Sequence, residues 1–235
     1  MEKLQPLFTS NQECHICNKS FTTAKVRSKF VKTMSYDSDF CPNYKEDSVN
    51  GLFYNIFVCP NCGYSFSSDF SKYFPPNTKE LIEEKIRSQW VPRDFDGERN
   101  IDEAIQTYKL ATYSAVLKKE KHIIIAGLYL RTAWLYRMMA NEEQEQRFMK
   151  LASTEYNHSY SIGDYKGTQI SEVKLLYLLG ELARRTGHID ESIRYFSKVI
   201  EQRKTTVEKN IIDMTIEKWQ EIREQQKVAN KLTNK

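Results

Sequence analysis

The residues best equipped for chemistry in this chain are four cysteines set in two pairs, Cys14-His15-Ile16-Cys17 and Cys59-Pro60-Asn61-Cys62. A tight turn between two cysteines curls the backbone, brings both sulfurs inward and aims its amides at them. Two such turns supply four thiolates in a tetrahedron, the arrangement of a closed structural zinc site. Tetrahedral sulfur also suits iron, which ranks second. A redox-active pair ranks third, because such pairs sit where a strand meets a helix and neither pair here opens one. Four protein thiolates leave the metal no open position, so the site reads as structural rather than catalytic. Gly63 follows the second pair, where a turn needs a positive φ, and Pro60 presets φ at its entry. Asn18 takes the glycine's place after the first pair, since asparagine tolerates the left-handed region. Between Cys17 and Cys59 lie 41 residues, longer than the commonest ribbon spacing and enough for a hairpin or a small sheet.

The fifth cysteine, Cys41, lies in Asp37-Ser38-Asp39-Phe40-Cys41-Pro42-Asn43-Tyr44. It reads first as a small buried residue and second as a reactive thiol. His15 reads as a solvent-facing turn residue. Lys25, Arg27 and Lys29 alternate along an expected strand and, with Lys32, could meet phosphates, with Tyr36, Phe53 or Tyr54 stacking on bases. A charged strand face is more often simply the solvated side, and Asp37 and Asp39 stand close by. His122, His158 and His188 are scattered without a nucleophile beside them. No phosphate-binding glycine loop, HExxH or GxSxG is present, so a non-enzymatic role is expected.

Composition narrows the classes. Over 235 residues the net charge is +4. Residues 1–76 carry 8 Lys and Arg against 7 Asp and Glu, without the basic excess of a dedicated nucleic-acid binder. No apolar run approaches the length of a membrane span. Met1 to Ser10 lacks a basic start followed by an apolar core, so no secretory signal is expected. An odd cysteine count in CxxC spacing fits a reducing cytoplasm.

The elements that must hold the two pairs follow. Residues 1–13 read as a lead-in, Phe21 to Phe30 as a strand, 37–50 as loop, and Leu52 to Val58 as a compact apolar strand running into Cys59. Ser65 to Phe70 reads as a short strand or extended arm. Phe74-Pro75-Pro76 closes the module, because proline disfavours helix in the residue before it. Asn77 or Thr78 can cap a helix through Ile86, and Trp90 to Gly97 breaks it. From Asn100 the period is helical, giving helices near 100–119, 122–140, 142–160, 168–186, 189–204 and 207–229, with short connections that favour antiparallel hairpins.

Within Ser171 to Arg203, Leu176, Leu179, Gly180, Ala183, Gly187, Ser192, Phe196 and Val199 follow tetratricopeptide spacing. A small residue lies where two helices cross, a glycine lies in the turn, and an aromatic lies on the second helix. Asp102 to Ala111 and Leu130 to Ala152 match the pattern loosely, with matched positions 41 and 47 residues apart rather than about 34. Stacked helix pairs of this kind leave a concave face suited to a protein or peptide partner.

Several stretches also look familiar together: Val26-Arg27-Ser28, Asp37 to Tyr44, Cys59 to Tyr64, Asp69-Phe70, Leu130 to Arg137 and Leu176 to Ser197. In these the chain resembles the bacterial domain-of-unknown-function family numbered 2225. The resemblance implies a zinc-ribbon-like start, tetratricopeptide-like helices and a cytoplasmic bacterial protein, and supplies no activity. The first pair, CHIC, departs from the CPxC form expected there, at a cost in turn rigidity but not in ligands. The expected architecture is α+β, mostly α. A small four-cysteine zinc-ribbon-like β module over 1–76 leads through a connecting helix and loop over 77–99 into a tetratricopeptide-like array of helical hairpins over 100–235. The expected role is a non-catalytic adaptor that holds Zn2+ and binds a protein or peptide through its helices. Nucleic-acid binding by the β module and a zinc or thiol redox sensor using Cys41 are the alternatives.

Overall fold

The computed structural model describes residues 4–233. It has short antiparallel strand pairs at the N-terminal end and helices from Thr78 onward. Two compact units divide at 152/153. The first helix begins just after the double proline, and the β module lies in the same compact unit as the first helices. The physical reason is that small paired strands cannot close a core alone, and here helices complete it.

In the first unit, β1 (Leu7–Glu13) pairs with β2 (Ser20–Val26) from Leu7 opposite Val26 to Glu13 opposite Ser20. Next, β3 (Thr33–Tyr36) pairs with β4 (Pro42–Tyr44), and β5 (Phe57–Val58) with β6 (Ser65–Phe66). Four local expectations are corrected. The lead-in is strand β1, whose weak apolar pattern is stabilised by its ladder to β2. The expected strand Phe21 to Phe30 ends at Val26, and Ser28–Phe30 forms a 3-10 turn, so Lys25, Arg27 and Lys29 do not line one strand face. The segment 37–50 contributes strand β4. Leu52 to Val58 is not one strand: Gly51–Tyr54 is a 3-10 turn capped by the Asn50 side chain, which accepts from Leu52 N, and only Phe57 and Val58 are extended.

The buried side chain of Arg99 explains that turn. Its Nη1 donates to the carbonyls of Phe53 (3.0 Å) and Ile56 (2.9 Å), and its Nε to that of Phe95 (2.9 Å). Carbonyls a strand would give to a neighbour are taken by a guanidinium.

Helix α1 (Thr78–Lys85) follows the prolines, and α2 (Ile101–Lys118) opens with a capping box between Asn100 and Glu103. On α2, Ala104, Tyr108, Ala111 and Ala115 are fully buried. That run of mostly small residues lets α2 pack against the β module, α1 and α3 (His122–Met138). At its C-terminal end the buried pair Lys118 and Glu120 holds the segment after β6. Lys118 Nζ donates to Ser71 O, and Glu120 accepts from Ser71 N at 3.0 Å. The unit boundary falls within α4 (Glu142–Ile162).

The second unit contains α5 (Glu172–Arg185), α6 (Ile189–Glu201) and α7 (Lys209–Thr233). Ser171 caps α5, accepting from Lys174 N. Helices α5 and α6 pack closely because Gly180 leaves room for Phe196: a Cβ there would lie 2.5 Å from the ring. Gly187 turns the chain between them at φ 84°, and Tyr177 stacks on Phe196 at 5.9 Å. Both glycines do what their spacing predicted. Among the described residues no helix is long and apolar enough to cross a membrane.

Candidate metal centre

Each cysteine pair is the tip of a hairpin. Strands β1 and β2 close at Glu13 opposite Ser20, and β5 and β6 at Val58 opposite Ser65. Between them the two turns repeat the same bonds. Cys14 N donates to Lys19 O (3.1 Å) and Asn18 N to Cys14 O (2.9 Å). Cys59 N donates to Tyr64 O (3.0 Å) and Gly63 N to Cys59 O (2.9 Å). The residue after each second cysteine is left-handed, Asn18 at φ 54° and Gly63 at φ 75°. Asparagine and glycine thus serve equivalent positions, as their chemistry suggests.

The four sulfurs converge, all within 4.8 Å of one another. Cys14 Sγ lies 3.5 Å from Cys62 Sγ, and Cys17 Sγ lies 3.7 Å from Cys59 Sγ. A tetrahedron with arms of about 2.3 Å, the zinc–sulfur length, has edges of about 3.8 Å. The spacing therefore suits a tetrahedral cation and is far too long for a disulfide. Cys14, Cys59 and Cys62 are buried, and Cys17 is half-buried.

Electrostatics point the same way. Cys59 is pulled down to about 2, first because Cys14 and then because Cys62 hydrogen-bonds to it. Cys14 is pushed up to about 12, chiefly by its bond to Cys59, and Cys62 is also raised, chiefly by its bond to Cys14. Sulfurs this close repel one another when ionised, so they cannot all carry charge unaided. A cation removes that restriction by letting every sulfur ionise. Backbone amides of Ile16 and Cys17 favour the Cys14 thiolate, and those of Asn61 and Cys62 favour that of Cys59. Four close sulfurs in a largely buried apolar core fit a metal ion.

The surroundings are apolar. The sulfurs belong to a core with Ile16, Phe21, Phe57, Tyr64, Phe66, Ile82 and Ile86, so α1 supplies part of the wall. Trp90 covers the second turn: its Nε1 donates to Pro60 O at 2.8 Å. His15 departs from expectation. It is half-buried against Phe66, ring centroids 5.4 Å apart, and desolvation lowers its pKa.

Cys41 is not one of the converging sulfurs. It is buried, 2% exposed, in a loop clamped to α3. Arg137 Nη1 reaches Asp37 at 2.7 Å, its Nη2 reaches Asp39 at 2.6 Å, and its Nε reaches Glu145 at 2.6 Å. Trp134 Nε1 donates to Asp39 Oδ2 at 3.0 Å. Asp39 is fully buried, and the nearby acids raise Arg137 despite its desolvation. The acidic loop and the Leu130 to Arg137 stretch, separate in sequence, are one structural joint.

The basic candidates disperse. Lys25 lies over the Phe57 ring at 4.7 Å, Arg27 over Phe8 at 4.9 Å and Lys29 over Phe30 at 5.1 Å, while Lys32 pairs with exposed Asp47. His122 opens α3, His158 lies on α4, and His188 precedes α6, its Nδ1 3.0 Å from Thr186 Oγ1. Sequence reasoning passed over Trp90, Arg99 and Arg137. The only local signal for Trp90 was a glycine after the second cysteine, which says that a neighbour can approach but not which one.

Comparison with known proteins gives one finding. Residues 7–222 match the family described as "Uncharacterized protein conserved in bacteria (DUF2225)". No curated protein and no solved structure matches the chain.

Proposed function

The chain belongs to this family of uncharacterised bacterial proteins, and from that premise we propose that it is a non-catalytic cytoplasmic adaptor. Its β module, zinc-ribbon-like, holds one Zn2+ through Cys14, Cys17, Cys59 and Cys62. Its helical hairpins, tetratricopeptide-like, bind a protein or peptide partner. The observation that carries the zinc reading is the convergence of the four sulfurs, three of them in buried cysteines, at tetrahedral spacing. Four thiolates close the coordination shell, which supports a structural ion over a catalytic one. Supporting the repeat reading is the Gly180 and Phe196 crossing of α5 and α6. The burial of Cys41 weighs against ready access by oxidants.

Two measurements test this. Metal analysis of the purified protein should find one zinc per chain, and a metal-free folded protein would overturn the zinc reading. Native affinity purification from bacterial cytoplasm, followed by size exclusion, should give a partner that co-elutes in constant ratio. A chain that elutes alone at every concentration would overturn the adaptor reading.

A further inference from the structure

We propose that a cavity in the first unit, walled by the β module, α2 and α3, binds a nucleoside monophosphate. This goes beyond the adaptor reading and does not depend on it. The cavity measures about 740 Å³, and Lys25, Tyr36, Tyr44, Asp69, Tyr108 and Arg131 are among the residues lining it. Small-molecule sites fall in the range of about 300–1,000 Å³.

Two cations reach the cavity from different elements, Lys25 from β2 and Arg131 from α3. Lys25 sits over the Phe57 ring and makes no ion pair among the described residues. Arg131 forms a long ion pair with Asp69 at 4.0 Å, beyond hydrogen-bond distance, so its N–H groups can still donate to a ligand. A guanidinium fork and an ammonium lining one cavity suit a phosphate, which accepts from several donors at once. Gly127 lies one helical turn before Arg131, and a Cβ there would fall 3.1 Å from Arg131 Nη1. A glycine inside a helix is unfavourable relative to alanine. Here it gives the guanidinium room to lie across α3.

Phosphate alone would not need the rest of the wall. Tyr36 is 65% exposed, and half-buried Tyr44 stands on the neighbouring strand. Rings of this kind offer faces on which a base can stack. Ser67, Ser68 and Asp69 also line the cavity and supply donors and acceptors for sugar hydroxyls and base edges. Cations, aromatic faces and hydroxyl partners together match a phosphate, a base and a ribose. The same chemistry is offered by a free mononucleotide and by the 5′-phosphorylated end of a strand.

Isothermal titration calorimetry on the full chain with its metal tests this. Titrants are AMP, GMP, CMP and UMP, then adenosine, inorganic phosphate, and a tetranucleotide with and without a 5′-phosphate. At least one mononucleotide should bind at one site, about tenfold or more tighter than the nucleoside or phosphate alone. Lys25→Met and Arg131→Met should each weaken it by about tenfold. Tyr36→Ala should weaken the mononucleotide and leave phosphate unchanged. Gly127→Ala, which shifts the Arg131 guanidinium without removing it, should weaken binding less, and this serves if Arg131→Met does not fold. Competition by the phosphorylated tetranucleotide alone would assign the ligand to strand ends, and competition by neither tetranucleotide would assign it to free nucleotide. No saturation at millimolar concentration overturns the proposal. So does phosphate binding as tightly as any mononucleotide, or affinity unchanged by Lys25→Met in a protein with wild-type circular dichroism and zinc content.

Discussion

The indole of Trp90 lies across Gly63, so that a Cβ on Gly63 would fall 2.4 Å from Cε3 of that ring. The contact joins a residue beyond α1 to the turn that presents Cys59 and Cys62. It gives Gly63 two independent reasons to lack a side chain, its φ of 75° and the ring above it.

Gly63→Ala should therefore destabilise the protein by at least about 2 kcal/mol, from left-handed strain and overpacking together. Urea unfolding measures the loss. In the double variant with Trp90→Ala the ring is gone, so the combined loss should be less than the sum of the single losses. Simple additivity would show that the ring does not restrict the turn.

Removing the metal tests the turns as a pair. Chelation should lower the melting temperature, because folding and metal binding are coupled in small metal-stapled modules. Cys59→Ser and Cys62→Ser should lose metal, whereas Cys41→Ser should keep the wild-type content, because Cys41 lies outside the converging sulfurs. Zinc loss in Cys41→Ser would mean that Cys41 takes part in coordination.

The joint between the acidic loop and α3 should be expensive to break. Asp39→Ala removes the fully buried acceptor of Arg137 and Trp134 while Asp37 and Glu145 still pair with Arg137, and should cost about 1–3 kcal/mol. Asp39→Asn, which keeps an acceptor for Trp134, should cost less. Equal losses in the two variants, read by denaturant unfolding, would show that a neutral acceptor contributes nothing once the charge is gone.

Alkaline pH should weaken the fold. Burial pushes the Tyr44 phenol up to about 12 from 10, and burial likewise raises Tyr54 and Tyr108. Groups whose folded pKa is raised contribute fully below the unfolded value. That contribution is lost as pH rises from about 10 through about 12. Ultraviolet titration of wild type against Tyr44→Phe should remove one late-ionising phenol. A titration unchanged by the substitution would show that Tyr44 does not ionise late.

Gly180→Ala tests the second unit. The added methyl meets the Phe196 ring at 2.5 Å, and overpacking costs about 1–3 kcal/mol, while alanine regains about 1 kcal/mol of helix propensity. A net loss is expected, with metal content unchanged. A stabilised protein would mean that the helices separate freely.

Much of this was legible in residue order because it is local. The CxxC spacing, the residue after each second cysteine and the helical period each depend on neighbours a few positions away. The Leu52 to Val58 run shows where local reading fails. Its apolar residues suit a strand, but Arg99 takes two of its carbonyls from more than forty positions away. The lead-in likewise became β1 only because β2 offered a ladder.

Sequence alone thus established that two turns of matched chemistry existed, and that helices in hairpins followed them. Tertiary structure decided which groups met: Cys14 with Cys62, Trp90 over Gly63, Arg137 on Asp39, and Lys25 and Arg131 in the wall of one cavity. The physical reason is range. Backbone preference and turn geometry act between neighbours, whereas burial and charge pairing select among partners that only the folded chain brings within reach.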